Sequence, residues 1–489
     1  MLKKSGFLFS LMACNAASEL PPASLGEVCG QDAPFRVLAL EPGVRLAGAP
    51  RAHSERVVLR VGTYGAPTSS GLAPSPKNTA LWSIGPCGES PHRLDVALQD
   101  LAVADRWPDI LLGRRPATRE LTILDVTGAS DEHVVFTGIG PSTLYWTDHG
   151  LVTFETRGED TGAALLHRYP DDPNTETAMS VVLLDSLFTR NVEGRVSAYE
   201  FDLLADEMIA RTTDNVIVRV SLIDGSAVTE YTNVKAHAVS PDGRWLLWQA
   251  LVGDPNDPKT SGPLSLRDLK TTSEISLGDA FLDNTRGPFD MYDAGYFVAN
   301  IEPYANGKQR VYKINDLSFV DLPEDRTLFH VFSDGRFAIG SFADDGIDLY
   351  DPVDGSVTPL VAHGVVEWWG DDEFEVLDVP PYWLEGASYI DEGPLYNIPL
   401  TGTPQKLADS ASSVGFRRGN GRRILGVDIG DDLLGQLILI DPDEPRSKQI
   451  DEHAFAFTAR ISTAFGGETL VYSVDDDDRT GVWLAQLAD

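Results

Sequence analysis

Residues Val234 to Ala250 read Val-Lys-Ala-His-Ala-Val-Ser-Pro-Asp-Gly-Arg-Trp-Leu-Leu-Trp-Gln-Ala, and they describe a β-hairpin. Proline fixes φ at one turn position, aspartate can bond back to the backbone, and glycine is free to take φ > 0. Ser240-Pro241-Asp242-Gly243 is therefore turn chemistry. The flanking runs, Val234 to Val239 and Trp245 to Ala250, are rich in the β-branched and aromatic residues that suit strands. His237 falls on the first of them and is read as a structural side chain.

The grammar recurs more loosely along the chain. Phe332-Ser333-Asp334-Gly335-Arg336-Phe337-Ala338-Ile339 keeps Ser-Asp-Gly-Arg without the proline, while Arg418-Gly419-Asn420-Gly421-Arg422 and Phe465-Gly466-Gly467-Glu468 keep only a turn before a strand. A second pattern, an apolar strand ending in Asp, Pro or Gly, appears at 81–86, 121–128, 218–225, 264–268, 311–316, 347–352, 395–399, 437–442 and 482–485, with a degenerate copy at 165–169. Copies lie roughly 35–55 residues apart, the spacing of four-stranded propeller blades, whereas a β-helix needs a much shorter period. The best helical candidates, 95–105 and 179–188, are short and ambiguous, so the chain reads as mostly β.

The Ser-Pro-Asp-Gly-Arg turn resembles the repeat of TolB-type, WD-repeat-like β-propellers, in which it joins two inner strands of a blade. The resemblance is good over 234–277, partial over 327–362, and elsewhere rests on period and strand grammar. It implies an all-β fold, a single β-propeller of four-stranded antiparallel blades. About ten candidate units can be counted, and seven or eight blades is the expected number once insertions and degenerate copies are allowed for. The last unit stops after its third strand. The segment around Phe35 to Leu40 is expected to complete it from the other end of the chain.

At the N-terminus, Lys3 and Lys4 precede a short apolar run, Gly6 to Ala13, and then Cys14. The run is too short to span a bilayer but fits the apolar region of a secretory signal. Leu11-Met12-Ala13-Cys14 resembles the bacterial lipobox, which implies a signal peptide over 1–13 and lipid attachment at Cys14; an ordinary signal cut near Ala17 is the alternative. Residues 14–34, with Pro21-Pro22 and scattered Ala, Ser and Gly, read as a flexible tether, and 35–489 as the propeller domain. With Cys14 acylated, Cys29 and Cys87 are left as an even pair in an oxidising compartment, and a disulfide between them is expected. The expected location is the bacterial cell envelope, on a periplasmic or surface face, with the membrane engaged only through the lipid.

Lysine and arginine number 39 against 74 aspartates and glutamates, a formal net charge of -35. That balance excludes an electrostatic grip on nucleic acid or on an anionic membrane surface. No catalytic residue is assigned. The sequence has no Gly-x-Ser-x-Gly elbow, Walker A loop, dinucleotide-binding glycine fingerprint, His-Glu-x-x-His or zinc-type cysteine cluster. Asp475, Asp477 and Asp478 are candidate ligands for Ca²⁺, set against a solvated hairpin tip. In the segment 363–393, Trp368, Trp369, Tyr382 and Trp383 stand among Glu373 and Glu375. Aromatic faces beside carboxylates can hold a sugar or a cation, and paired carboxylates hydrolyse glycosides; the competing reading has aromatics filling the space between blades. The sequence therefore points to a monomeric, cofactor-free scaffold for an envelope protein or small ligand. A carbohydrate-active or sugar-binding propeller and a Ca²⁺-dependent adhesion propeller are the alternatives.

Overall fold

The computed structural model describes Cys29 and residues 34–486, apart from 54, 65–75, 95–99, 105, 116, 125, 127–132, 140–143, 159–160, 193–194, 254–260, 279, 283–287, 302–307, 342–345, 380–390, 420–421, 431, 441–446 and 466–468. The described chain is all-β. Its named helical elements are two three-residue 3-10 turns, Ala456–Thr458 and Asp477–Arg479. Of the two helical candidates, 100–104 and 180–188 lie in strands, and 95–99 falls outside the described residues. Among the described residues no helix is long and apolar enough to cross a membrane.

The strands pair almost entirely with their sequence neighbours, antiparallel, in eight hydrogen-bonded sheets. In chain order these cover 44–93, 100–137, 145–199, 201–231, 234–278, 296–321, 327–361 and 365–486. The eighth is an eleven-stranded sheet that also takes in Phe35–Ala39.

Two strands make that sheet continuous. Gln405–Gly419 pairs through 405–412 with the strand before it and through 412–419 with the strand after it. Lys448–Phe455 runs along Leu434–Ile440 but meets Thr469–Val474 at a single pair, Ala454 with Val474. The sheet thus divides into three four-stranded groups. The last consists of Arg460–Ser462, Thr469–Val474, Gly481–Gln486 and, from the other end of the chain, Phe35–Ala39. Phe35 lies opposite Leu484 and Leu38 opposite Val482.

Seven sheets and three groups make ten units, and among the described residues ten apolar clusters join them in succession. Val58 and Leu81 of the first unit pack with Leu111 and Leu124 of the second. Ile209 of the fourth packs with Leu246 of the fifth. Leu437 of the ninth packs with Leu470 of the tenth. The remaining step joins the tenth to the first, with Val471 and Leu484 against Leu59 and Ile84. Inner strands such as Arg56–Thr63 and Arg422–Val427 are apolar on both faces, as strands stacked between neighbours require, while outer strands such as Ala227–Tyr231 and Glu274–Gly278 are largely exposed.

The opening hairpin has the geometry its residues imply. Ser240 N–H donates to the Trp245 carbonyl at 2.9 Å, and Gly243 N–H donates to the Ser240 carbonyl at 2.8 Å. Ser240 Oγ accepts from Trp245 N–H at 2.9 Å and donates to Asp242 Oδ1 at 2.7 Å. Gly243 has φ +68°, the left-handed region that favours glycine, and packs against the side chain of Leu204. Arg244 then reaches Asp268 with Nε and Nη2, at 3.2 and 3.1 Å, fastening the hairpin to the strand Ser261–Asp268. The looser copy at 332–336 keeps the same turn, with Gly335 at φ +86° and Asp334 accepting from Arg336 N–H at 3.0 Å. The turns at 420–421 and 466–468 lie outside the described residues.

Because Ser240 is 1% exposed and its hydroxyl is bonded on both sides, Ser240→Ala strands one part-buried amide and one carboxylate contact. The expected cost is about 2 kcal/mol, read from the urea unfolding midpoint. A change within experimental error would show that the hydroxyl does not hold the turn.

Candidate functional site

Three places collect polar side chains in unusual surroundings. The first is the aromatic and acidic segment after His363. Trp368 stands opposite Glu375 and Trp369 opposite Phe374 on the paired strands Val365–Trp369 and Glu373–Leu377. Trp369 stacks on His330 at 5.2 Å with 9° between planes, and meets Phe374 at 5.1 Å. His330 belongs to the preceding sheet, so Trp369 bridges two units. Glu375 has no exposed side-chain surface and accepts from Arg423 Nε at 2.7 Å, an ion pair across to the next unit. Glu373 accepts from Asn397 Nδ2 at 2.9 Å. The ring of Trp368 folds over Gly370, where a Cβ would come within 2.3 Å of it. Tyr382 and Trp383 lie outside the described residues. Trp369 and Glu375 are thus engaged between units, while Trp368 and Glu373 remain half-buried at the edge of the same hairpin.

The second place is the acidic loop near the end of the chain. Asp475 Oδ2 accepts from Arg45 Nη2 at 3.1 Å and from Gly43 N–H at 3.1 Å. Arg45 Nη1 donates to the Asp432 carbonyl at 2.6 Å, and its guanidinium lies 4.6 Å from the Phe455 ring. Tyr64 packs on the same ring at 4.8 Å and donates to the Leu46 carbonyl at 3.2 Å; burial pushes its hydroxyl up to about 12. Ser473 Oγ accepts from Leu46 N–H at 2.6 Å. Asp478 is exposed, and its carbonyl accepts from Arg36 at 2.8 Å; the side chain of Asp477 lies outside the described residues. Among the described residues no three of His, Cys, Asp and Glu are grouped so as to hold a metal. In this geometry the carboxylate of Asp475 fastens the first unit to the tenth.

Cys29 is disulfide-bonded to Cys87, with Cα atoms 5.4 Å apart. Gly88, at φ +84°, lies so close to Phe35–Ala39 that a Cβ would stand 2.6 Å from the Val37 carbonyl oxygen. The disulfide loop and the N-terminal strand are therefore in backbone contact. Cys14 lies outside the described residues.

The third place was not assigned from sequence. His237, on Val234–Val239, has a side chain only 1% exposed, and its Nε2 lies 3.4 Å from Oδ2 of Asp202 on the neighbouring unit. Asp202 sits deep in the body and yet keeps 32% of its side-chain surface accessible. Burial pushes its carboxyl up to about 7, against the pull of the Val239 N–H. Burial pushes the His237 ring down to about 4. Glu200 and Arg211 are paired nearby at 2.7 Å. Phe201-Asp202-Leu203 is a short strand with no motif around it, so the sequence held no sign of the contact.

No protein-family model matches the chain, and no curated protein sequence matches it. Solved structures do. The tricorn protease matches at 10% identity over 91% of this chain, with a TM-score of 0.27; the chain spans 61% of the tricorn chain. TolB from Acinetobacter baumannii matches at 12% identity over 64% of this chain and 79% of its own, with a TM-score of 0.25. The WD40 repeats of RRP9 match at 10% identity over 58% of this chain and 92% of theirs, with a TM-score of 0.23. The structural neighbours thus include TolB and WD40 proteins, at low identity and low overlap.

Removing a carboxylate that a nearly buried arginine depends on costs about 3 kcal/mol, and Arg45 and Asp475 have side chains 11% and 14% exposed. Asp475→Ala is expected to lose that much in urea unfolding, equally with and without Ca²⁺. A loss that appears only when Ca²⁺ is present would assign the carboxylate to a cation instead.

Proposed function

We propose that the chain is an exported, lipid-anchored β-propeller whose loops bind a protein or small ligand of the cell envelope. The observation that carries this reading is the apolar cluster joining Val471 and Leu484 to Leu59 and Ile84. Together with the Phe35–Ala39 pairing, it supports a ring in which the ten units are the blades, rather than seven or eight. A ring of this kind has a rigid frame, and its loops are free to vary in shape and charge around a channel. The acidic balance of the chain suits a partner with basic or neutral contact surfaces.

Export and anchoring rest on Leu11-Met12-Ala13-Cys14 and are favoured by the Cys29–Cys87 disulfide, a bond that persists in oxidising compartments. Several acyl chains on Cys14 would hold the protein stably, whereas one alone would bind only marginally.

Cys14→Ser tests the anchor. The protein is expected to leave the membrane fraction and to lose the acyl mass on its N-terminal peptide; a variant that stays membrane-bound would refute a lipid at this residue. Crosslinking in intact envelopes tests the binding role. One partner recovered in stoichiometric amount is expected, and recovery of the chain alone would contradict it.

A further inference from the structure

Asp202 and His237 come from neighbouring units, each on the first strand of its sheet. Neither ring nitrogen of His237 makes a well-aligned hydrogen bond; they face the Asp202 carboxylate and the Ile209 carbonyl. The charged side chains whose fields reach the ring are Glu200 and Arg211, which act in opposite directions and are paired with each other. Strand Trp245–Leu251 sets Trp248, which carries no charge, opposite His237. Asp202 receives the Val239 N–H.

Two forms of the pair have the same net charge. An ion pair would place an imidazolium on a ring only 1% exposed, and the 3.4 Å approach of Asp202 Oδ2 is too long for the charge-assisted hydrogen bond that would have to repay its desolvation. The neutral form puts no charge on the buried ring and asks less of the same two contacts: one ring nitrogen faces the carboxyl as acceptor and the other faces the Ile209 carbonyl as donor. We infer that Asp202 and His237 share one proton, held on the carboxyl, and form a proton-linked latch between the fourth and fifth units.

The displaced titrations agree with this form. A carboxyl held at about 7 instead of 3.8 favours folding in acid, and that contribution is lost as pH rises through about 7. A ring held at about 4 instead of 6.5 favours folding above 6.5, and that contribution is lost as pH falls through about 4. Between about 4 and 6.5 the two slopes cancel, because the folded pair carries one proton on Asp202 and the unfolded chain carries one on His237. Above about 7 the carboxylate stands ionised beside the ring, and the latch loosens.

Single variants should therefore unmask opposite slopes. In urea unfolding at pH 5, 6 and 7, Asp202→Asn is expected to lose stability relative to the intact protein as pH falls, by up to about tenfold in the unfolding constant per pH unit. His237→Gln is expected to lose it as pH rises, with a similar limit. Variant and parent profiles that stay parallel would overturn the latch. If either variant fails to fold, ¹⁵N spectra of the intact protein at pH 5.5 decide instead: a neutral His237 ring supports the latch, and a doubly protonated ring overturns it.

Discussion

The structure depends on one strand that is far from its partner in sequence. Phe35–Ala39 pairs with Gly481–Gln486, and without it the last group would have three strands instead of four. The pairing is backed from three directions. Val37 and Leu38 enter the apolar cluster with Val482 and Leu484, Arg45 meets Asp475, and Gly88 presses the disulfide loop against Val37. The first two of these contacts span most of the chain, so their loop-closure cost is offset only when the units between them are already stacked, while the third ties the N-terminal strand to the first unit. The junction is where the two ends of the described chain are held together.

Between the ends, neighbouring units are joined by apolar packing with a few polar contacts placed inside it. Glu375 with Arg423 and Asp202 with His237 each reach from one unit to the next. The two pairs solve burial differently. Arg423 meets its carboxylate with directed N–H groups, whereas His237 has no such fork to offer. Burial displaces the proton affinity of the Asp202 carboxyl upward.

Much of the fold was legible because hairpins announce themselves locally. Ser240 to Arg244 specify a turn by their own conformational preferences, and Gly335 repeats the requirement in a weaker copy. The completing role of Phe35 was readable from a unit that lacked its last strand. Residues 180–188 misled because alternating and helical apolar patterns overlap over so short a run. The candidate sites were less legible. Trp369 and Glu375 attracted attention by composition, yet composition does not say which face of a strand meets His330 or Arg423. Asp475 stood out only as one of three candidate carboxylates, and its partner Arg45 is remote in sequence. Asp202 had no local sign at all, since its meaning comes entirely from the strand that packs beside it.

Amide hydrogen exchange on the intact protein tests the junction most directly. Arg36 to Ala39 and Val482 to Leu484 are expected to exchange as slowly as the central hairpin residues Leu246 to Trp248. Rapid exchange at 36–39 while 246–248 stay protected would contradict it.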